Sequence, residues 1–356
     1  MMAKRKSNYS GFLFIASIVL AVLLLSSAGG YIYWNSAPPA KTCISCHEIT
    51  GAFDMWARSS HRDFDCKTCH GTALSNGWHR LTEKANMVIS HYKEDYIESI
   101  GLNEQQVWNM MDRCVECHQD QYANWLSGGH AATYADVFLH EEHNSTEQLN
   151  ADCLRCHGMF YEGTIEDLVG PISIEGPWHL KEEGHAGKPT MPCLTCHSVH
   201  EENFPTTEPS FADVETIHYQ RLEKIPTIGL YYRYEKDFFR VQELPRPKLL
   251  VDEKPIKVSD DLSQRLCVQC HAPNSFHMNG SHDDRTPRGV HEGLSCKSCH
   301  QPHSNNAKGS CVTCHPAISN CGLDVETMNT TYADPESPHN IHFVSCKDCH
   351  PKMQEN

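Results

Sequence analysis

Nine copies of Cys-x-x-Cys-His run through this chain of 356 residues, and they constrain its fold more than any other feature. Five fall in the first part: Cys43-Cys46-His47, Cys66-Cys69-His70, Cys114-Cys117-His118, Cys153-Cys156-His157 and Cys193-Cys196-His197. Four follow: Cys267-Cys270-His271, Cys296-Cys299-His300, Cys311-Cys314-His315 and Cys346-Cys349-His350. This spacing is that of a c-type haem attachment site. The two thiols add across the haem vinyl groups, and the adjacent His reaches the iron as its proximal ligand. A single Cys-x-x-Cys would suit zinc or dithiol chemistry as well. Nine copies, each with His directly after the second Cys, point to nine covalently attached haem c groups.

The motifs take up 18 of the 19 cysteines, which leaves only Cys321 and excludes a disulfide framework by arithmetic. Structural zinc is disfavoured too, because paired knuckles at regular separation are missing. Haem c is attached outside the cytoplasm, so an exported chain is expected, with thioether bonds where an exported protein more often has disulfides. Length alone suggests two or three domains. About 320 residues would serve nine haems, roughly 35 for each, too few to build an ordinary apolar core. The macrocycles themselves must be the core, which explains a mean hydropathy of -0.51 in a chain expected to fold. The expected fold is mostly α with extensive irregular loops and little sheet, wrapped around nine haems behind an N-terminal transmembrane helix.

The formal charge is -15. With no basic patch to displace counterions, nucleic acid is disfavoured as a partner. An acidic surface suits a redox partner with a basic docking face; it equally serves solubility.

Lys4, Arg5 and Lys6 precede an apolar stretch from Phe12 to Trp34. As a helix its length is about 34 Å, enough to cross a bilayer. Tyr31, Tyr33 and Trp34 sit where an interfacial aromatic belt belongs, and the basic cluster holds the N-terminus in the cytoplasm. The haem domains are therefore expected on the periplasmic or extracytoplasmic side of the inner membrane. The competing reading is a cleaved signal peptide with Ser26-Ser27-Ala28 at the cleavage site. The retained anchor is favoured because apolar character continues past Ala28 through Tyr31-Ile32-Tyr33-Trp34.

One gap between motifs stands out, the 74 residues from His197 to His271. It suggests four regions: tip and anchor (1–36), a five-haem module (37–203), a haem-free insert (204–265) and a four-haem module (266–356). The insert holds an aromatic cluster, Tyr231, Tyr232, Tyr234, Phe238 and Phe239, expected to pack on haem edges. Asn103 with Gln106 is a capping-box pattern, followed by Val107, Met111 and Val115 at helical spacing. The helix it predicts would carry Cys114 and Cys117 on one face. Residues 78–96, with Leu81, Ala85, Val88 and Tyr92 recurring, read as a second amphipathic helix.

Of 25 histidines, 16 remain after the proximal set. So large a surplus implies mainly bis-His ligation, which lowers haem potential relative to His/Met and suits electron transfer. His61 and His291 each lie five residues before a first Cys, and His200 and His303 each lie three residues after a proximal His. The distal candidates are His61, His130, His185, His200, His291, His303 and His342, followed by His91, His143, His282 and His339. His79, His140, His179, His218 and His277 are expected at the surface or behind the ligands. The first haem is the one for which an open site is suspected, since no His lies between His47 and His61; Met55 is an alternative ligand there.

Residues 1–120 resemble the NapC/NirT family of membrane-anchored quinol dehydrogenases. The resemblance rests on the apolar stretch followed closely by Cys43-Cys46-His47, then Trp56, Ser60 and His61, then Cys66-Cys69-His70. Trp78, Leu81, Lys84 and His91-Tyr92 come next, and Val107-Trp108-Asn109-Met110 leads into Cys114-Cys117-His118. It implies a first haem at the membrane surface that accepts electrons from quinol, contacted by a Lys and a carboxylate. Lys84 matches the first of these and Asp95 is the candidate for the second. Ile49 departs from the family, which often has Met at that position. Beyond residue 120 the family pattern ends; Trp125, Ser127 and His130 look instead like the Trp…Ser…His pattern of larger multihaem cytochromes.

Together these readings lead to an anchored electron carrier between membrane quinol and a periplasmic or extracellular redox protein, alone, as a homo-oligomer or within a larger respiratory complex. Two alternatives stand beside it. One is a reductase or oxidase of a small nitrogen or sulfur compound at an open haem, though no Cys-x-x-Cys-Lys variant is present. The other is a subunit of an extracellular cytochrome filament. Cys321, six residues after His315, is expected to be buried against haem, or else to form an intermolecular disulfide.

Overall fold

The computed structural model describes residues 9–44, 49–71, 89, 92–93, 102–200, 204–208, 221–225, 228–246, 250–251, 254–255, 258–259, 261–271, 293–298 and 300–304. The chain divides into two compact units, one of Met1–Ala57 with His61–Glu98 and one of Arg58–Ser60 with Ser99–Asn356. The insert and the motifs on either side of it thus fall within one unit.

The first unit opens with α1 (Tyr9–Ser36), 28 residues long. No charged residue interrupts Gly11–Ser36, which has a mean hydropathy of 2.5 and no buried portion. At 1.5 Å per residue it is long enough to cross a hydrocarbon layer of about 30 Å. Three short helices follow: α2 (Pro39–Thr42), α3 (Thr50–Trp56) and α4 (Cys66–His70). A helix leaves its last carbonyls without intrahelical partners. Here Lys67, inside the second motif, supplies one donor to several of them: its Nζ lies 3.3 Å from Trp34 O, 3.1 Å from Asn35 O and 2.7 Å from Ala37 O. A cation at a helix C-terminus also complements the macrodipole. The same residue starts α4, because Asp65 accepts from the Lys67 backbone N at 2.8 Å.

The second unit begins with α5 (Glu104–Val115), the helix expected from the capping-box pattern. Asn103 Oδ1 accepts from Gln106 N, and Gln106 Oε1 accepts from Asn103 N, both at 2.9 Å. Val107, Met110 and Met111 are buried. The helix ends at Val115, so Cys114 lies on it and Cys117 beyond it. Then come α6 (Gln119–Leu126), α7 (Tyr134–Phe138), α8 (Glu141–Asn144), α9 (Cys153–Cys156) and α10 (Ile165–Leu168). Thr133 with Asp136 and Thr164 with Asp167 form capping boxes at α7 and α10. These very short helices hold together by packing rather than propensity. Their apolar faces meet in one cluster of Tyr134, Phe138, Leu149, Leu154, Tyr161, Ile165, Leu168, Val169 and Leu180. The last two come from β1 (Val169–Gly170) and β2 (His179–Leu180), which pair antiparallel.

The insert is strand-rich. Hairpins form from β3 (Phe204–Glu208) with β4 (Arg221–Ile225), and from β5 (Gly229–Tyr232) with β6 (Asp237–Arg240). A shorter one joins β7 (Leu250–Val251) to β8 (Lys254–Pro255). The β-branched and aromatic content of the insert favours the pleated conformation. Its aromatics also pack on protein. Tyr231 stacks on Phe160 with ring centroids 4.0 Å apart and planes at 15°. Tyr232 meets Tyr234 and Phe239 edge-on. Arg233 Nη2 donates to Gly163 O at 3.0 Å. Gly229 is required where it stands, since a Cβ there would lie 2.0 Å from the Phe239 carbonyl oxygen. The last α-helix among the described residues is α11 (Leu262–Cys270), followed by a 3-10 turn at Cys296–Ser298.

Candidate functional site

The described motifs share one backbone device. The proximal His N–H donates to the carbonyl of the first Cys four residues earlier: His118 to Cys114 at 2.8 Å, His157 to Cys153 at 2.9 Å, His197 to Cys193 at 3.0 Å, His271 to Cys267 at 2.8 Å and His300 to Cys296 at 2.9 Å. One helical turn brings positions i, i+3 and i+4 to the same side. In each of these five motifs the turn brings the backbone of the proximal His back over that of the first Cys. None of the described cysteines is joined in a disulfide. Among the described residues no group of three or more His, Cys, Asp or Glu side chains is gathered as a metal cage. The donor set of each motif fits a haem, which needs two sulfurs for its vinyl groups and one imidazole for its iron.

Two pairs of imidazoles lie at a separation that would suit a bis-His site. The His197 and His303 rings lie 5.8 Å apart with planes at 25°. The His130 and His271 rings lie 5.9 Å apart. An iron bonded to an imidazole nitrogen at about 2 Å on each side would set two ring centroids about 6 Å apart. Both separations meet that requirement, and each pair joins a proximal His to an expected distal one. His130 is further held by its Nδ1, 3.1 Å from Pro302 O, the contact that fixes the tautomer and aim of a metal-binding ring. Burial, then the neighbouring His130 and His118, hold His303 below the ordinary imidazole range. His157 is lowered by burial and by nearby His143, and His200 by burial alone. A depressed imidazole stays neutral, the form that binds metal.

The thiols of different motifs also meet. Cys156 and Cys270 hydrogen-bond each other, which lowers Cys156 to about 7 and raises Cys270. Cys267 and Cys296 do the same, with Cys267 lowered and Cys296 raised. Burial raises Cys196 to about 12, with Cys267 and Cys193 adding to it. In the first unit Cys66 is raised to about 11 by burial and then by Cys43.

Other expected ligands are placed as follows. His61 lies in the turn before α4, where its carbonyl accepts from Trp56 Nε1 at 3.0 Å and its ring meets Phe64 at 6.2 Å. His143 is half-exposed, with Nε2 3.6 Å from Glu147 Oε2. His185 has carboxylates at both ring nitrogens: Glu104 Oε2 lies 3.0 Å from Nε2, and Glu182 Oε2 lies 3.4 Å from Nδ1. To bind iron it would have to release one of them. The candidates His91, His282, His291, His339 and His342 lie outside the described residues, as do Lys84, Asp95 and Cys321. The same holds for His47, His315 and His350, for the cysteines of the eighth and ninth motifs, and for most of the helix expected over 78–96.

Sequence reading missed the polar cluster around His185. Tyr134 O–H donates to Glu104 Oε1 at 2.5 Å, and the opposite carboxylate oxygen faces His185. The imidazole is boxed edge-on by Trp108, Tyr134 and Tyr161 at 5.4–5.5 Å. Beside it opens a cavity of about 580 Å³, lined by Glu104, Tyr161, Glu162, Lys181, Glu182 and His185 among others. No spacing rule would have found this group, because Glu104 reads as an ordinary first-turn acid of a helix.

Residues 113–167 and 240–301 match the family model described as cytochrome c554 and c-prime. Those segments contain the third, fourth, sixth and seventh motifs. Comparison with curated proteins gives no match, and comparison with solved structures gives none. Motif, backbone geometry and family match agree on a multihaem c-type cytochrome that binds haem c covalently and transfers electrons.

Proposed function

We propose that the protein is a membrane-anchored nonahaem cytochrome c that accepts electrons from membrane quinol. It passes them through bis-His haems to a periplasmic or extracellular redox protein. The observation that carries this reading is the grip of Lys67 on the carbonyl end of α1. A lysine lying between the two cysteines of the second motif is bonded to the last turn of a helix long enough to span a bilayer. An anchored α1 would therefore hold the first two attachment sites at the membrane surface, where a quinol headgroup could reach them. The resemblance of residues 1–120 to quinol dehydrogenases supplies the donor.

In this reading haem supplies one-electron chemistry at each site, while the chain supplies spacing, ligation and dielectric. Paired imidazoles such as His197 and His303 would hold a haem from both sides and keep its potential low. Quinol oxidation releases protons as well as electrons, so a proton acceptor is needed near the first site. Asp95 is assigned that part, and Lys84 is assigned to orient the quinol oxygen. The test is anaerobic reduction of the purified, detergent-solubilised protein by a reduced quinone analogue, followed in the haem absorption bands. Wild-type protein should be reduced. Lys84→Ala should be reduced at least tenfold more slowly, a loss of about 1.4 kcal/mol of transition-state stabilisation. It should still respond to dithionite as wild type does. A wild-type protein inert to quinol would reject the quinol role.

A further inference from the structure

We propose that the sixth attachment site is a junction, with the fourth, fifth and seventh sites as its neighbours, so that the order of sites in space departs from their order in the chain. The proposal rests on reading the motifs as haem sites. Its support is a set of contacts that converge on α11, which carries Cys267 and Cys270.

The link to the seventh site is a buried polar seam. Asp261 caps α11 through Ser263 and also accepts from Ser295 Oγ. Gln264 Oε1 accepts from Cys296 N at 3.4 Å. Asp261, Gln264 and Ser295 are all buried, so α11 and the seventh motif are fastened together out of water. The link to the fifth site is a strut. His130 faces His271 and is bonded to Pro302 O, and the next residue, His303, faces His197. One short segment thereby aligns the second imidazoles of both sites. The link to the fourth site is a packing contact. Cys270 lies against the cluster holding Met159 and Phe160, just past His157. His303 also has His118 of the third motif nearby.

The third and fifth sites therefore lead to the sixth by one side and the fourth by another. Electrons travelling from the third site to the seventh have a path through the fifth and sixth that does not use the fourth. The fourth is then a branch that can load or unload electrons at the junction.

The experiment marks the sixth site and perturbs the fourth. His130→Met should convert one bis-His haem to His/Met ligation, seen as a new low-spin ferric EPR signal and one haem of raised potential. Intact-protein mass should still show nine haems; fewer in the wild type would mean that the haem count fails, independently of the junction. In the marked protein, Cys153→Ala with Cys156→Ala should remove one haem and change the line shape and relaxation of the marked signal. Where that variant does not accumulate, Arg155→Gln serves. Arg155 stands near both Cys156 and Cys270 and at the surface, so loss of its positive charge should lower the midpoint potential of the marked haem. A marked signal and potential unmoved by perturbing the fourth site would overturn the junction. So would the absence of any Met-ligated signal in His130→Met, because the strut would then not serve the sixth site.

Discussion

Glu104 does the work of three ordinary contacts. It starts α5, takes the Tyr134 proton-donating bond and faces His185, all while nearly buried. Burial, and then the neighbouring Glu104 charge, keep the Tyr134 phenol well above its ordinary range, so it stays a neutral donor. Replacing Tyr134 by Phe would leave a buried carboxylate oxygen short of a partner, at a cost of about 1–3 kcal/mol. Denaturant unfolding of the holoprotein should show that loss as a lower midpoint with an unchanged slope. Thr133 offers a second, pH-dependent case. Its hydrogen bonds hold the Asp136 carboxyl below the ordinary carboxylate range. The sign follows from linkage: the stabilisation is fully present above the ordinary carboxylate value and is lost as pH falls through the lowered folded value. Thr133→Ala should cost about 1 kcal/mol at neutral pH. The gap from wild type should narrow in acid, measured by thermal unfolding across a pH series. Gly158 has φ of 90°, with the Tyr134 ring 3.0 Å from where a Cβ would stand, so the turn after the fourth motif is locked to the same cluster.

Among the secondary-structure elements, the most legible were those with local signals. The capping pattern at Asn103 gave α5 its start, and uninterrupted apolar character gave α1 its length, because both depend on residues within a turn or two of each other. The hairpins of the insert were not read. The run Leu230-Tyr231-Tyr232 and the pair Phe238-Phe239 looked like material for haem edges, and only the register Tyr231↔Phe238 reveals that they face one another. The role of Lys67 was equally hidden, since its partners lie 30–33 positions earlier. Lys67→Ala should free the carbonyl end of α1 at a cost of about 2 kcal/mol, the scale of a charged hydrogen bond. The expected outcome is an unchanged haem content with faster proteolysis around residues 37–44 and slower reduction by quinol. Lys67→Arg should restore much of both, because it returns a cation of similar reach.

For the molecule as a whole, the cofactor was legible and its wiring was not. Eighteen cysteines in nine identical spacings state the chemistry outright. The pairing of imidazoles was not legible, because His130 and His271 are 141 positions apart and His197 and His303 are 106 apart. Only the folded chain brings such residues together, and His185 shows how a histidine beside a motif can be engaged by carboxylates instead. The same economy governs stability. The larger apolar cluster among the described residues has nine buried side chains, and a smaller one has Val107, Met159 and Phe160. The described hairpins and single-turn helices around these clusters have little stability alone. Apolar macrocycle faces are the obvious surface for the remaining burial. The chain produced in cells unable to attach haem c should therefore lack a cooperative fold. Its near-UV circular dichroism should be flat and its thermal melt featureless, and trypsin should digest it at the rate of an unfolded chain, whereas the haem-loaded protein should melt in a defined transition. A cooperative melt of the haem-free chain at the same temperature would show that the polypeptide carries its own core and that haem merely occupies it.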